Sequence, residues 1–331
     1  METPVKQVRK LLSLDGGGVR GMSAIAILRE LMEKLARKRG VEVVHPWQEF
    51  DMIGGTSTGG LLAIMLGRLR MSIDECEEAY MKFSEDIFKP RNAVVGAYNL
   101  LNAQGKFSTE ALEANIKELI DKAELPQSEK FDDKRDDSCK TFVSVVRQED
   151  GANTVLRSYI NPEMPNPMRR FCMIWQAARA TSAASTFFEP ITIGPNEQMF
   201  VDGALGFNNP IQLLERESRD LWPDEDRIFL SIGTGSAPGG SLEGNFFTLA
   251  ARLSKMLLET EKTADGFMRD NPHLVAAHQY YRFNVSGLGH VGLEEYKARP
   301  QIYTATETYL ETMEVVTKVK QCISTLSLQS L

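Results

Sequence analysis

Twice within the first sixty residues the chain runs an apolar, strand-like segment into a glycine turn and out into an apolar helix: VRKLLSL into DGGGVRG, then FDMI into GGTSTGG. A repeated strand, tight turn and helix is the pattern of an α/β sheet covered by helices, because each short turn obliges the next helix to lie back on the strand it left. The helix expected from about Ser23 carries Ile27, Leu28, Leu31 and Leu35 on one side and Arg29, Glu30, Glu33, Lys34 and Arg37 on the other. Helical spacing returns at residues 73–87 and 109–121. TFVSVVRQ and TVLRSYI read as paired strands around the turn DGAN. A helix over WQAARATSAAS follows, then strands near FFEPITI and QMFVDGA, a helix from Pro210 and the strand RIFLSIG. The tail is mainly helical, with one strand at YYRFNVS. RNAVVGAYNLLNAQGK reads as a loop, and the charge run EKFDDKRDDSCK as a solvated connection.

An apolar fraction of 42% and a charged fraction of 25% leave ample material for a core. A net charge of −7 argues against nucleic acid as a partner, which needs a basic face. It says nothing against a lipid, whose acyl chains are recognised by apolar surface. Cys76, Cys139, Cys172 and Cys322 are too far apart for a metal or redox pair, so a reduced, cytoplasmic compartment is expected. No apolar stretch approaches the roughly 18 residues of a membrane span, so membrane contact is expected to be peripheral. With no linker dividing it, residues 1–331 are expected to form a single domain.

Three segments could carry chemistry. In DGGGVRG, residues 15–21, consecutive glycines let the backbone approach a ligand and leave amide N–H groups pointing into one cavity. The same letters spell the dinucleotide fingerprint through Gly16, Gly18 and Gly21, and a bare turn is a third reading. In GTSTG, residues 55–59, Gly55 and Gly59 give a sharp turn room to hold Ser57 above a sheet as a nucleophile. The following helix would ease negative charge there by about 0.3 to 2 kcal/mol. Taken singly, that segment is as often a helix-capping turn. In FVDGALGFNNP, Asp202 ends an apolar strand before Gly203; alone it is more often a turn residue. A carboxylate can act directly on a serine if burial raises its proton affinity.

The three segments together, in this order, closely resemble the patatin-like phospholipase family, whose marks are a DGGGxRG loop, a GxSxG elbow and a later DG[GA] turn. ARATSAASTFFEP and SIGTG are similar to the connections that flank the family's aspartate, so the resemblance spans about residues 8–235 and fades over the mainly helical 240–331. It implies a three-layer α/β/α fold with a central, mainly parallel sheet, and a lipid acyl hydrolase working through a Ser57 acyl-enzyme. Asp202 would be the base, and the amides around Gly16, Gly17 and Gly18 would bind the oxyanion. Asp15, Gly21, Gly55, Gly59 and Gly203 match motif positions, and Arg20 would steady the loop. It implies no cofactor and no metal, and a membrane phospholipid or other lipid ester as substrate. The overall texture is most similar to patatin domains of the fungal type, which implies an effector domain of a multidomain immune-type receptor, governed by a C-terminal region that forms homo-oligomers.

Three rivals make different demands. An α/β-hydrolase triad would add His278 or His290 to Ser57 and Asp202. A dinucleotide site would place Glu42 or Asp51 on a ribose. A catalytically silent interaction module would keep the fold alone. Two lids are conceivable: a helix with Phe246, Leu249, Leu253, Met256 and Leu257 on one stripe, for which core packing is the commoner use, and the apolar stretch 94–101.

Overall fold

The first strand, β1 (Val8–Leu14), is central: the strand Asp226–Ile232 pairs with it in parallel along its whole length and the strand Met52–Thr56 in parallel along Leu11–Leu14. The computed structural model describes residues 7–88, 108–184, 188–236 and 249–327, with residue 205 and residues 249–258 as backbone. Around β1 lie β2 (Met52–Thr56), β3 (Lys140–Arg147), β4 (Asn153–Arg157), β5 (Ile191–Ile193), β6 (Gln198–Asp202), β7 (Asp226–Ile232) and β8 (Tyr280–Phe283). Hydrogen-bonded neighbours run β5-β6-β3-β2-β1-β7-β8, and β4 also pairs with β3. The five strands β3, β2, β1, β7 and β8 are parallel; β4, β5 and β6 are antiparallel additions.

Side chains alternate between the two faces of a strand, and the core divides accordingly. Leu12, Ile53, Val143, Leu230 and Tyr281 belong to one buried cluster. Leu11, Met52, Phe142, Phe229 and Tyr280, each one residue away, belong to the other. The first cluster takes in Ile27, Leu28, Leu31 and Leu35 of the helix Gly21–Arg39, with Ile302, Val315 and Val319 of the two C-terminal helices. The second takes in Ile211 and Leu214 of Ile211–Leu221 and Phe267 of Leu249–Asp270. Helices therefore cover both faces of a mostly parallel sheet, and the fold is three-layered, α/β/α, as expected.

One arrangement places the site. Along β3, β4 pairs with Phe142–Val146, β2 with Lys140–Ser144 and β6 with Val145–Arg147. A strand has only two edges, and β4 occupies one of them opposite both partners, so β2 and β6 share the other. They meet end to end there, Thr56 beside Ser144 and Asp202 beside Val145. The residues that leave these two strand ends are thus neighbours in space although 145 positions apart in sequence.

The expected elements are found with shifted ends. The helix over WQAARATSAAS stops at Thr181, and FFEPITI contributes only Ile191–Ile193. The charge run is less solvated than its composition suggests: Phe131 is buried, and Asp133 is paired with Arg68 and Arg135. Pairing removes the need for full hydration that makes charge runs surface loops. All four cysteines are free and buried. Among the described residues no helix is long and apolar enough to cross a membrane. The stretch 94–101 and Phe246 lie outside the described residues, as do the side chains of Leu249, Leu253, Met256 and Leu257.

Candidate active site

Ser57 follows β2 directly and caps the helix Thr58–Ala63, with φ 55° and ψ −124°. A non-glycine residue in this region is strained by about 1 to 3 kcal/mol and persists only where its surroundings over-determine it. They do so here. The Ser57 N–H donates to Thr181 Oγ1 at 2.9 Å, and Thr181 Oγ1 donates to the Ser144 carbonyl at 3.0 Å. Thr56 Oγ1 donates to the Phe207 carbonyl at 2.6 Å, tying the bend to the segment after Asp202. Gly55 and Gly59 let the bend close: a Cβ on Gly55 would stand 2.0 Å from the Gly59 carbonyl oxygen, and one on Gly59 2.1 Å from that of Leu14.

The hydroxyl that this bend presents donates to Asp202 Oδ2 at 2.6 Å. The other oxygen, Oδ1, accepts the Ala204 N–H at 2.8 Å. Asp202 is 3% exposed. Burial is the dominant influence on it and pushes its pKa up to about 7, against the smaller opposing effects of Ser57 and the Ala204 amide. Its N–H is held by the Ala183 carbonyl at 3.1 Å, and Gly203 follows where β6 leaves the sheet. Among the described residues Asp202 is the side chain that the Ser57 hydroxyl meets. His278 and His290 are exposed and contribute nothing to this contact.

The glycine loop lies against the bend, since Thr58 Oγ1 donates to the Gly18 carbonyl at 3.2 Å. The buried Tyr80 hydroxyl donates to the same carbonyl. Gly18 has φ 54°, a left-handed conformation that glycine adopts without cost. The Gly16 N–H donates to the Asn208 carbonyl at 3.0 Å, and its carbonyl accepts from Thr234 Oγ1 at 2.7 Å. Of the three amides expected to face an anion, Gly16 is therefore engaged within the protein. Among the described residues no such bond takes the N–H of Gly17 or Gly18. Arg20 is 1% exposed; its guanidinium reaches the carbonyls of Gly17 and Leu288, both at 3.4 Å, and burial lowers its pKa to about 10. Gly21 begins the following helix. Asp15 is fully buried against Arg282, Oδ2 to Nη2 at 2.6 Å, and burial outweighs that pairing to raise its pKa to about 6.

The ribose ligands that a dinucleotide site would need are elsewhere. Asp51 precedes β2, at the opposite end of that strand from Ser57, and is bound to Arg9 and the Lys10 N–H, both at 2.8 Å. Glu42 is exposed beyond the far end of the helix that the loop begins. Several residues that shape the site carried no individual sequence signal. Thr181, Asn208 and Thr234 lie in or beside stretches noted above, but none of the three was singled out as a residue. Tyr80, Glu261 and Arg282 have no local motif at all.

The patatin-like phospholipase family model matches residues 12–214. The chain is 32% identical to calcium-independent phospholipase A2-gamma of Oryctolagus cuniculus over 86% of its own length and 36% of that protein's. It is 34% identical to the cGAMP-activated phospholipase of Escherichia coli (strain TW11681) over 68% of its own length and 62% of that protein's. With phospholipase A I of Arabidopsis thaliana it shares 27% identity over 92% of this chain and 27% of that protein. It thus spans about a third of the mammalian relative's length. With a strained serine on a strand-to-helix bend, a buried carboxylate on its hydroxyl and a glycine loop alongside, the chain belongs to the patatin-like phospholipase family.

Proposed function

We propose that this chain is a serine-dependent lipid acyl hydrolase with Ser57 as nucleophile and Asp202 as general base. The observation that carries the reading is the 2.6 Å hydrogen bond from a conformationally strained hydroxyl to a buried carboxylate. As Ser57 Oγ bonds to the ester carbonyl carbon, its proton passes to Asp202. The carbonyl π electrons move to oxygen, and the Gly17 and Gly18 amides stabilise that charge. The tetrahedral intermediate collapses by breaking the C–O bond to the alcohol, which leaves with the proton from Asp202. Water then adds to the acyl-enzyme, Asp202 takes its proton, and the fatty acid departs as Ser57 is reprotonated. A base with a pKa near the working pH both exists in the basic form and returns the proton readily. One oxyanion donor is worth about 2.7 to 4 kcal/mol of barrier in sites of this kind.

Phospholipid is the substrate favoured by the relatives' names, and approach from a membrane surface is the corresponding mode of contact. The effector role in a longer receptor and a governing homo-oligomer rest on the sequence resemblance and belong to the same proposal. Labelling with a fluorophosphonate tests the chemistry: the parent chain takes up label and Ser57→Ala does not. Label persisting in Ser57→Ala would identify another nucleophile and end this reading.

A further inference from the structure

The glycine loop is held in part by residues that follow the stretch the family model matches, 12–214. The Val19 N–H donates to the Leu293 carbonyl at 2.8 Å, and Thr234 Oγ1 to the Gly16 carbonyl at 2.7 Å. Two further ties converge on neighbouring residues of one helix, Leu249–Asp270. Thr260 Oγ1 accepts from Asn208 Nδ2 at 2.8 Å, and the same nitrogen donates to the Gly16 carbonyl at 3.2 Å. Glu261 Oε1 accepts from Arg282 Nη2 at 2.7 Å, and the same nitrogen donates to Asp15 Oδ2 at 2.6 Å. Consecutive helix residues thus reach consecutive loop residues, each through one intermediary. Arg282 Nη1 is fixed on Ser231 Oγ at 2.9 Å, and Asn284 Nδ2 braces Glu261 at 2.8 Å.

We infer that Arg282 with Glu261, and Asn208 with Thr260, are positioning residues for the oxyanion loop, so that the helix Leu249–Asp270 sets the catalytic geometry without touching substrate. The inference rests on the hydrolase reading above. Asp15 opens the loop with no exposed surface, and Arg282 is the cation that faces it. Removing that cation leaves a buried carboxylate unpaired next to Gly16, and the backbone must shift to hydrate it. Glu261 is partly solvated, at 38% side-chain exposure, so it orients the guanidinium more than it neutralises it. Loop amides aimed at a developing oxyanion lose about 100-fold in rate for a misplacement of about 1 Å, with little effect on ground-state binding.

The test uses the full 331-residue chain and measures kcat and KM on a short p-nitrophenyl ester, the rate of fluorophosphonate labelling at Ser57, and the melting temperature. Arg282→Gln is expected to lower kcat about 100-fold, and Glu261→Gln and Thr260→Val about 10-fold, with KM within about 2-fold of the parent and labelling slowed in parallel. Arg282→Lys, which restores a cation to Asp15, is expected to recover about 10-fold of the loss. If Arg282→Gln does not fold, Glu261→Gln and Thr260→Val decide. Variants that keep the parent kcat overturn the inference, even if they melt earlier, because the ties would then be structural only. A parent that neither hydrolyses nor labels at Ser57 sinks the hydrolase reading and this one with it; an active parent whose variants keep kcat sinks this one alone.

Discussion

Asp202 and Glu217 are both buried carboxylates, and the protein uses them in opposite ways. Among the described residues Asp202 meets a hydroxyl and one backbone amide but no cation, and burial lifts its pKa to about 7. Glu217, with no exposed surface, receives Arg157 through two bonds of 2.6 Å, with Tyr159 and Asn161 each at 3.0 Å. Burial again pushes upward there, but these partners overcome it and the pKa falls. Asp15 lies between the two cases: it has a cation, yet burial still raises it to about 6. Burial is common to all three; the number and charge of the partners decide whether proton affinity rises or falls.

The strongest way to break the comparison is to remove the chemistry at one end. Ser57→Ala and Asp202→Asn are each expected to lower kcat by about 10⁴-fold or more, since members of a catalytic unit fail together. Turnover on a p-nitrophenyl ester within tenfold of the parent would overturn the base assignment. Glu217→Gln is expected to cost about 3 to 5 kcal/mol in urea unfolding, because Arg157 is left buried without its counter-charge. Activity per folded molecule should survive.

Stability at alkaline pH sharpens the contrast. For Asp202 the folded pKa lies above its ordinary 3.8. Its contribution to folding is therefore fully present below that value and lost as the pH rises through about 7. Asp202→Asn should accordingly unfold at higher urea than the parent at pH 8. The ceiling on that gain is about 4 kcal/mol, at about 1.4 kcal/mol per pKa step. Glu217 has the opposite sign, contributing stability above its ordinary 4.5 that disappears as the pH falls through its lower folded value. An Asp202→Asn chain less stable than the parent at pH 8 would show that the carboxylate is not strained by burial.

The same pKa predicts an acid limb in kcat/KM, with activity rising tenfold per pH step below a midpoint of about 7. A midpoint near 4 would mean that the site is wetter than its burial suggests. The smallest expected effect is that of Thr181→Val, which leaves the Ser57 N–H without its acceptor and should cost about 1 to 3 kcal/mol of stability, read by urea unfolding. No loss there would show that the bend holds itself.

Much of this was legible before any coordinates. VRKLLSL and RIFLSIG read as buried strands because continuous apolar runs suit a sheet covered on both faces. Ser57 and Asp202 were legible through their glycine-rich turns. Less legible were element ends, such as the helix that stops at Thr181, after which the Ala183 carbonyl accepts the Asp202 N–H. The residues behind the glycine loop were not legible at all. Arg282 is one arginine in an ordinary strand, and Glu261 one glutamate on a helix; only the meeting of Arg282 with Asp15, 267 positions away in sequence, and of Glu261 with Arg282 makes either special.

The amino-acid sequence by itself determined the alternation of strands and helices, the places where backbone must turn sharply, and the residue types available to attack and to accept a proton. These are local properties, set by periodicity and by what glycine permits. Tertiary structure alone decided that β2 and β6 end on the same edge of β3, so that a hydroxyl and a carboxylate meet. It also decided that, among the described residues, no cation reaches the second of them. Proton affinity depends on what surrounds a group in three dimensions, and no spacing along the chain encodes that.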